Sequence, residues 1–328
     1  MLFAAHNASV AHEPRKRSLL APLPAASLPN PFSLAPFYVQ PSLHDRISAT
    51  VSSQRLFVAG KGSSTLQAMG AARASIAALE EVPSAFWVDS SSKILKNAPS
   101  DAWTTRIGAA ARSHPTVESM LADVAALPDP QVAVFVLHAL PNRDCHIAAS
   151  SAGEICCRRT RPTEPGPSSN RAARCDYLDA KDDPQCDAGL DEYKKEIVLP
   201  FVRLLAQHAI IPTVVIIEPM AMTNLATNLE EPSCGSLPTQ AAYEHGTAFA
   251  IEALHTHAPH AVLYLDAGHG GLLGWPPQTA KFVQHVMRLR DISAAQPAYA
   301  HVRAASDYTT NHTTIAIPHP SRVTHTVG

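Results

Sequence analysis

Four short apolar runs, each stopping at a polar or ionisable group, constrain this chain more than any other feature. They are Ala85 to Val88 before Asp89, Val132 to Leu137 before a turn at Leu140 to Asp144, Thr213 to Ile217 before Glu218, and Ala261 to Leu265 before Asp266. A fifth strand is expected at Tyr299 to Arg303. Between them apolar residues recur at helical spacing. Ser64 to Val82 carries Leu66, Met69, Ala72, Ile76 and Leu79, and Pro115 to Leu127 carries Val117, Met120, Leu121 and Val124. Leu190 to His208 carries Tyr193, Ile197, Phe201 and Leu204, with a kink expected at Pro200. Thr239 to His255 is helical, and Pro276-Pro277 opens a helix with Phe282, Val286 and Leu289 on one stripe. Strand and helix alternating at this spacing mean an α/β fold, a parallel sheet with crossover helices. In such folds the C-terminal strand edge carries the chemistry. One polar strand end says little, but four of them, with Trp87 and Trp275 alongside, point to a pocket on that edge.

The densest run of such groups is Val134 to Glu154. An apolar strand breaks at Leu140-Pro141 and then delivers Asn142, Arg143, Asp144 and Cys145 in succession. That arrangement is either an Arg-Asp brace that fixes a loop or a carboxylate mounted at a pocket rim. The local residues alone leave both open.

Composition excludes several classes. A formal charge of -2 argues against a nucleic-acid or anionic-membrane surface as the main partner. The 17 histidines are scattered without HxxxH or CxxC spacing, so neither a metal site nor a cofactor is expected. No apolar run is long enough to span a membrane. The N-terminus shows no clean signal peptide, because Leu19 to Leu28 is interrupted by Pro22 and Pro24. Six cysteines do not make a disulfide scaffold in 328 residues, though they permit a few bridges.

Residues 1–29, rich in Ala, Pro, Ser and His, read as a tail or linker. The globular domain is expected over 30–313, with 314–328 as an unstructured tail. Within it Ile155 to Asp187 has no periodicity and holds four of the cysteines, which reads as a long irregular insertion. Five strands do not close an ordinary β/α barrel, so the sheet is either open or short of part of a barrel.

Collected in order, the strand ends resemble glycoside hydrolase family 6, the cellobiohydrolases and endoglucanases. Leu140-Pro141-Asn142-Arg143-Asp144-Cys145 is similar to the family's Leu-Pro-Asp-Arg-Asp-Cys segment. Ile217-Glu218-Pro219 with Asn224-Leu225-Ala226-Thr227-Asn228 resembles its Ile-Glu-Pro-Asp segment and the Leu-Ala-Asn-Leu-Val-Thr-Asn that follows. Tyr264-Leu265-Asp266-Ala267-Gly268-His269, then Gly274-Trp275-Pro276, resembles Tyr-Leu-Asp-Ala-Gly-His and the later Gly-Trp-Pro. Asn30-Pro31-Phe32 and Phe86-Trp87-Val88-Asp89 also have counterparts.

The resemblance implies a distorted seven-stranded β/α barrel, of which about five strands are expected here. It implies a secreted protein, expected to be monomeric, that hydrolyses β-1,4-glucosidic bonds with inversion in cellulose or β-1,4-gluco-oligosaccharides. Asp144 would be a catalytic-centre carboxylate. Trp87 would stack a glucosyl ring and Asp89 would hydrogen-bond it. Ser150, Asp266, His269, Trp275 and Asn311 would line sugar subsites, and Cys145 would pair with Cys234. The chemistry needs a protonated acid at the leaving oxygen and a base or relay for water on the other face. A second carboxylate nearby keeps that acid protonated.

The sequence departs from the family where it matters most. The general acid follows Glu-Pro, and Met220 stands there; a thioether has no proton to give. The family's tyrosine in the first motif is His138 and its next Asp is Ala139. Asn142 replaces Asp, Leu272 replaces a stacking Trp, and Ser150-Ser151-Ala152-Gly153 carries an extra residue. The motifs of the family's last barrel portion have no counterpart, so the barrel is expected to be incomplete. Three outcomes follow: a weakened glycosidase, a glucan-binding pseudoenzyme, or a non-functional truncated product.

Overall fold

Thr213 to Ile217 is five residues of Thr, Val and Ile, side chains that are stiff at χ1 and suited to a pleated sheet, and it forms the centre of the sheet. The computed structural model describes residues 35–54, 74–95, 115–147, 153–158, 175, 183–294, 305–306 and 312–317. Strands β1 (Phe86–Val88), β2 (Ala133–Leu137), β3 (Thr213–Ile217) and β4 (Ala261–His269) pair in parallel in that order. β6 (His312–Ile317) runs antiparallel to β4, and β5 (Ala305–Ser306) runs antiparallel to β6. The four expected strands stand where the apolar runs put them, and the α/β class with a parallel sheet holds.

Two expectations about the sheet are corrected. β4 does not stop at Leu265; it continues to His269 through an irregularity between Asp266 and His269, because β6 supplies a partner for its far end. Residues 314–317, expected in an unstructured tail, belong to β6. Thr314-Ile315-Ala316-Ile317 is a short run with β propensity, and its small size among polar residues hid it. The expected strand at Tyr299 to Arg303 lies outside the described residues. With β5 and β6 the described sheet has six strands rather than five.

One face of the sheet is covered by helices. Val88, Leu137 and Ile217 are fully buried, and Leu265 nearly so, in one register row. Phe135 meets Phe86 and Phe201 edge-on, at 6.4 and 5.6 Å between ring centroids. Helix α1 (Pro41–Gln54) precedes β1, and α2 (Val117–Ala125) lies between β1 and β2. α2 buries Val117, Met120, Leu121 and Val124, the stripe read from the sequence. Its start lies two residues past the expected Pro115. Thr116 is the N-cap and exchanges hydrogen bonds with Ser119, so Pro115 stands outside the helix rather than in its first turn.

The helix expected over Leu190 to His208 is built in three pieces. α3 (Asp187–Glu192) leads into a widened turn, Tyr193–Val198, in which Leu199 N–H reaches back to Lys194 O. α4 (Leu199–Gln207) then begins with Pro200 in its first turn. The widened turn takes up the conflict between the proline ring and the preceding carbonyl without breaking the rod. After β3 come α5 (Ala221–Thr227), α6 (Pro232–Gly235) and α7 (Leu237–His257). After β4 come α8 (Gly270–Leu273) and α9 (Pro276–Ala294), and α9 packs on α5 and α7. Phe282 and Leu289 of α9 are buried and Val286 partly so, as the stripe predicts. Of the helix expected over Ser64 to Val82, residues 64–73 lie outside the description and 74–81 are helical.

The described residues of the 155–187 stretch are tied down by disulfides. Cys156 is bonded to Cys175, Cys157 to Cys186, and Cys145 to Cys234, the last as the resemblance implied. The first two bridges were not foreseen beyond the count that permitted them. No helix among the described residues is long and apolar enough to cross a membrane.

Candidate active site

Position in the sheet collects the site. Val88, Leu137, Ile217 and Leu265 share one register row, so the next residues, Asp89, His138, Glu218 and Asp266, share the row at the C-terminal edge. The backbone there is unusual. Among the described residues five non-glycine residues have positive φ, and four of them lie just past β2 and β3: Asn142, Asp144, Glu218 and Met220. Left-handed conformations cost L-residues on the order of 1 kcal/mol each and collect at functional sites.

The turn after β2 is held from several sides. Asn142 is fully buried; its side chain donates to Thr239 Oγ1 at 3.0 Å and accepts from Cys157 N–H at 3.1 Å, while Tyr243 donates to its carbonyl at 2.9 Å. The Arg143 guanidinium donates to the carbonyls of Asp89 at 3.1 Å and His138 at 2.6 Å, tying β1 and β2 together at their ends. Asp144 faces His138, with 3.4 Å between its Oδ2 and His138 Nε2. His138 meets the Trp87 ring edge-on at 5.4 Å. Trp87 is 41% exposed, so much of its ring stays available to a ligand.

The turn after β3 explains the fate of two carboxylates. Glu218, with φ +43°, is buried and accepts from Ala139 N–H, Leu140 N–H and the Tyr193 hydroxyl, the last at 2.7 Å. Burial raises its pKa, against the opposing pull of the His138 charge and of these bonds. Burial also pushes the Tyr193 phenol up, reinforced by Glu218. Glu218 is spent beneath the surface in these bonds. Met220 follows with φ +67°, caps α5 without a side-chain bond, and donates its backbone N–H to Asp266 Oδ2 at 2.9 Å. Asp266 Oδ2 also accepts from Gly268 N–H at 3.0 Å. Gly268 has φ +61° and lies so close to Thr223 that a Cβ would stand 2.8 Å from its hydroxyl, so this turn requires glycine.

The remaining expected residues are placed as follows. Asp89 pairs with Lys93 at 2.7 Å. His269 accepts from Gly271 N–H at 3.1 Å and caps α8, and Trp275 is 63% exposed beyond that helix. Ser150 and Asn311 lie outside the described residues. Asp266, expected to line a sugar subsite, holds the 220 turn through its Oδ2. No group of side chains among the described residues has the makings of a metal site. The sequence reading passed over His138 as a mere replacement. Its period-two relation to Val136 and its place one residue past β2 were the available signals.

A family model, Glycosyl hydrolases family 6, matches residues 175–319. Probable 1,4-beta-D-glucan cellobiohydrolase C of Aspergillus niger is 30% identical over 257 residues, 77% of this chain and 42% of its own length. The chain is a distant relative of glycosyl hydrolase family 6. Exoglucanase A of Cellulomonas fimi is 30% identical over 250 residues, 75% of this chain and 22% of that protein. The chain thus spans less than half the length of these curated relatives. Among solved structures, the catalytic domain of Cellulomonas fimi Cel6B superposes with a TM-score of 0.60 at 25% identity, covering 84% of this chain and 51% of that one. The CcCel6A catalytic domain complexed with p-nitrophenyl beta-D-cellotrioside matches in fold, with a TM-score of 0.56 at 22% identity over 87% of this chain and 63% of its own. The parallel sheet and its helices are therefore those of a family 6 catalytic domain.

Proposed function

We propose that this protein binds β-1,4-linked gluco-oligosaccharides along the C-terminal strand edge and hydrolyses them poorly for want of a general acid. The observation that carries the reading is Met220. The turn that should present a proton donor is present, anchored by its N–H to Asp266, but its side chain is a thioether. Nor does a neighbour replace the missing acid. Asp89 is ion-paired with Lys93, Asp266 accepts two backbone N–H groups, and Glu218 is buried. Losing a general acid lowers a rate by about 10²–10⁴-fold.

Binding has the parts it needs. Trp87 and Trp275 offer exposed aromatic faces that cover the apolar C–H surface of a sugar ring, and Asp89 and Asp144 offer acceptors for hydroxyls. In this reading Asp144, oriented by His138, relays a proton from the attacking water, and the bond is cleaved with inversion at whatever slow rate remains. The three disulfides fit an oxidising compartment, which supports export.

Calorimetry with cellotetraose, run beside a product assay on the same sample, tests this. Saturable binding that Trp87→Ala weakens by about tenfold or more, with turnover slower than about 1 per minute against the usual 1–10³ per second, supports the reading. Turnover in the ordinary enzymatic range would overturn the second half of it, and absence of binding the first.

A further inference from the structure

The segment Gly153–Cys157 leads into the irregular insertion, yet it touches the ends of two strands of the site. Glu154 accepts the Ser91 N–H at 2.6 Å and the Ser91 hydroxyl at 2.6 Å, which fixes the turn after Asp89. Ile155 O accepts the Asn142 N–H at 3.1 Å, and Cys157 N–H donates to Asn142 Oδ1 at 3.1 Å. Gly153 lies against the Arg143 side chain, where a Cβ would stand 3.1 Å from Cγ. The segment thus grips Asn142 and Arg143 just ahead of Asp144, and Ser91 just beyond Asp89.

Its own attachment is covalent. Adjacent cysteines leave in different directions, Cys156 to Cys175 and Cys157 to Cys186. Cys186 is the N-cap of α3, and Gly189 in the first turns of that helix leaves room for the Cys156 carbonyl, 2.7 Å from where a Cβ would be. Ile155, Cys156 and Cys157 are all buried. The segment is not part of the sheet, so the two bridges and these few hydrogen bonds hold it in register.

We propose that Gly153–Cys157 is the positioning segment of the glucan site, and that its two adjacent disulfides make the alignment of Asp89 and Asp144 depend on oxidation. A small dithiol opens each bridge by giving up two electrons and two protons, yielding two protein thiols and one cyclic disulfide. The third bridge, Cys145–Cys234, ties the same turn to α6 from the other side and is left in place in the test. The geometry stands by itself; the consequence for sugar binding rests on the glucan reading above.

The experiment compares the oxidised wild-type protein with Cys156→Ser/Cys175→Ser, Cys157→Ser/Cys186→Ser and the fourfold variant. It reads residue-resolved amide exchange and cellotetraose affinity. In the fourfold variant, exchange at Ser91 and Asn142 is expected to rise about tenfold or more, while Glu218 N–H, bonded to Leu137 O within the sheet, stays protected. Cellotetraose affinity is expected to fall by about tenfold alongside. Glu154→Gln, with both bridges intact, is expected to loosen Ser91 and spare Asn142; this milder change keeps the test alive if the cysteine variants fold poorly. Unchanged exchange at both amides would overturn the proposal, as would a rise that extends equally to Glu218. Local loosening in a protein whose oxidised form binds no cellotetraose would instead sink the glucan reading and leave the positioning segment standing.

Discussion

At the scale of single residues, the strand-end acids divide by what they hold. Glu218 looks like a catalytic carboxylate in the sequence, since it ends a β-branched strand and precedes a proline. In the structure it is a buried acceptor for three donors, and Glu218→Ala would leave Ala139 N–H, Leu140 N–H and the Tyr193 hydroxyl unsatisfied. At about 1–3 kcal/mol for each orphaned buried donor, the variant should lose at least about 3 kcal/mol in urea denaturation. The raised pKa of Glu218 also gives a sign. The folded state holds this proton more tightly than the unfolded chain, so its contribution is full below the ordinary carboxylate range and declines as pH rises through the raised value. The difference in stability between wild type and Glu218→Gln should therefore shift in the variant's favour between about pH 4 and about pH 7. A difference that does not change with pH would contradict this.

Glu244 runs the opposite way. Burial acts to raise its pKa, but the bond from His285 and the charges of Arg288, His285 and His245 outweigh it and hold the carboxyl low. Its contribution is present above the ordinary carboxylate range and lost as pH falls. Glu244→Gln should make the protein less sensitive to acid over that range, read from urea midpoints in the same pH series.

At the scale of elements, the sequence was most legible where one chemistry decided the outcome. The stripe Val117, Met120, Leu121 and Val124 announced α2, and the Thr-Val-Val-Ile-Ile run announced β3. It was least legible where a distant partner decides. β4 runs on to His269 because β6 pairs with it, and nothing in Asp266-Ala267-Gly268 says so locally. A kink was expected at Pro200, but not that a widened turn, Tyr193–Val198, would take up the proline. The start of α2 lies two residues past Pro115, where Thr116 supplies the cap. Thr116→Ala removes the side-chain oxygen that accepts the Ser119 N–H and should cost about 1 kcal/mol, measured as a lowered Tm. Thr116→Ser should restore most of it.

At the scale of the whole molecule, the site is a row across four parallel strands braced from outside the sheet. The row itself was legible, because each apolar run ends in a distinctive group. The braces were not. An Arg143-Asp144 brace was one of two readings the sequence left open, and Arg143 joins two carbonyls just past the strand ends. Four cysteines in an aperiodic stretch permit three pairings among themselves, and the fold shows two bridges fastening Gly153–Cys157 to Cys175 and to the start of α3, while hydrogen bonds link the segment to Asn142. The 220 turn likewise depends on a distant strand: Met220 stands in a left-handed conformation with its N–H bonded to Asp266 of β4.

That turn offers the most direct test. Aspartate tolerates the left-handed region better than methionine and is a preferred N-cap, so Met220→Asp suits both the backbone and α5, and should raise stability by about 0.5–1 kcal/mol. The measurement is cellotetraose hydrolysis by Met220→Asp beside wild type, with binding determined on both. The account predicts that the two bind alike and that the variant hydrolyses at least about 10²-fold faster. Equal rates in two well-folded proteins that both bind the sugar would contradict it.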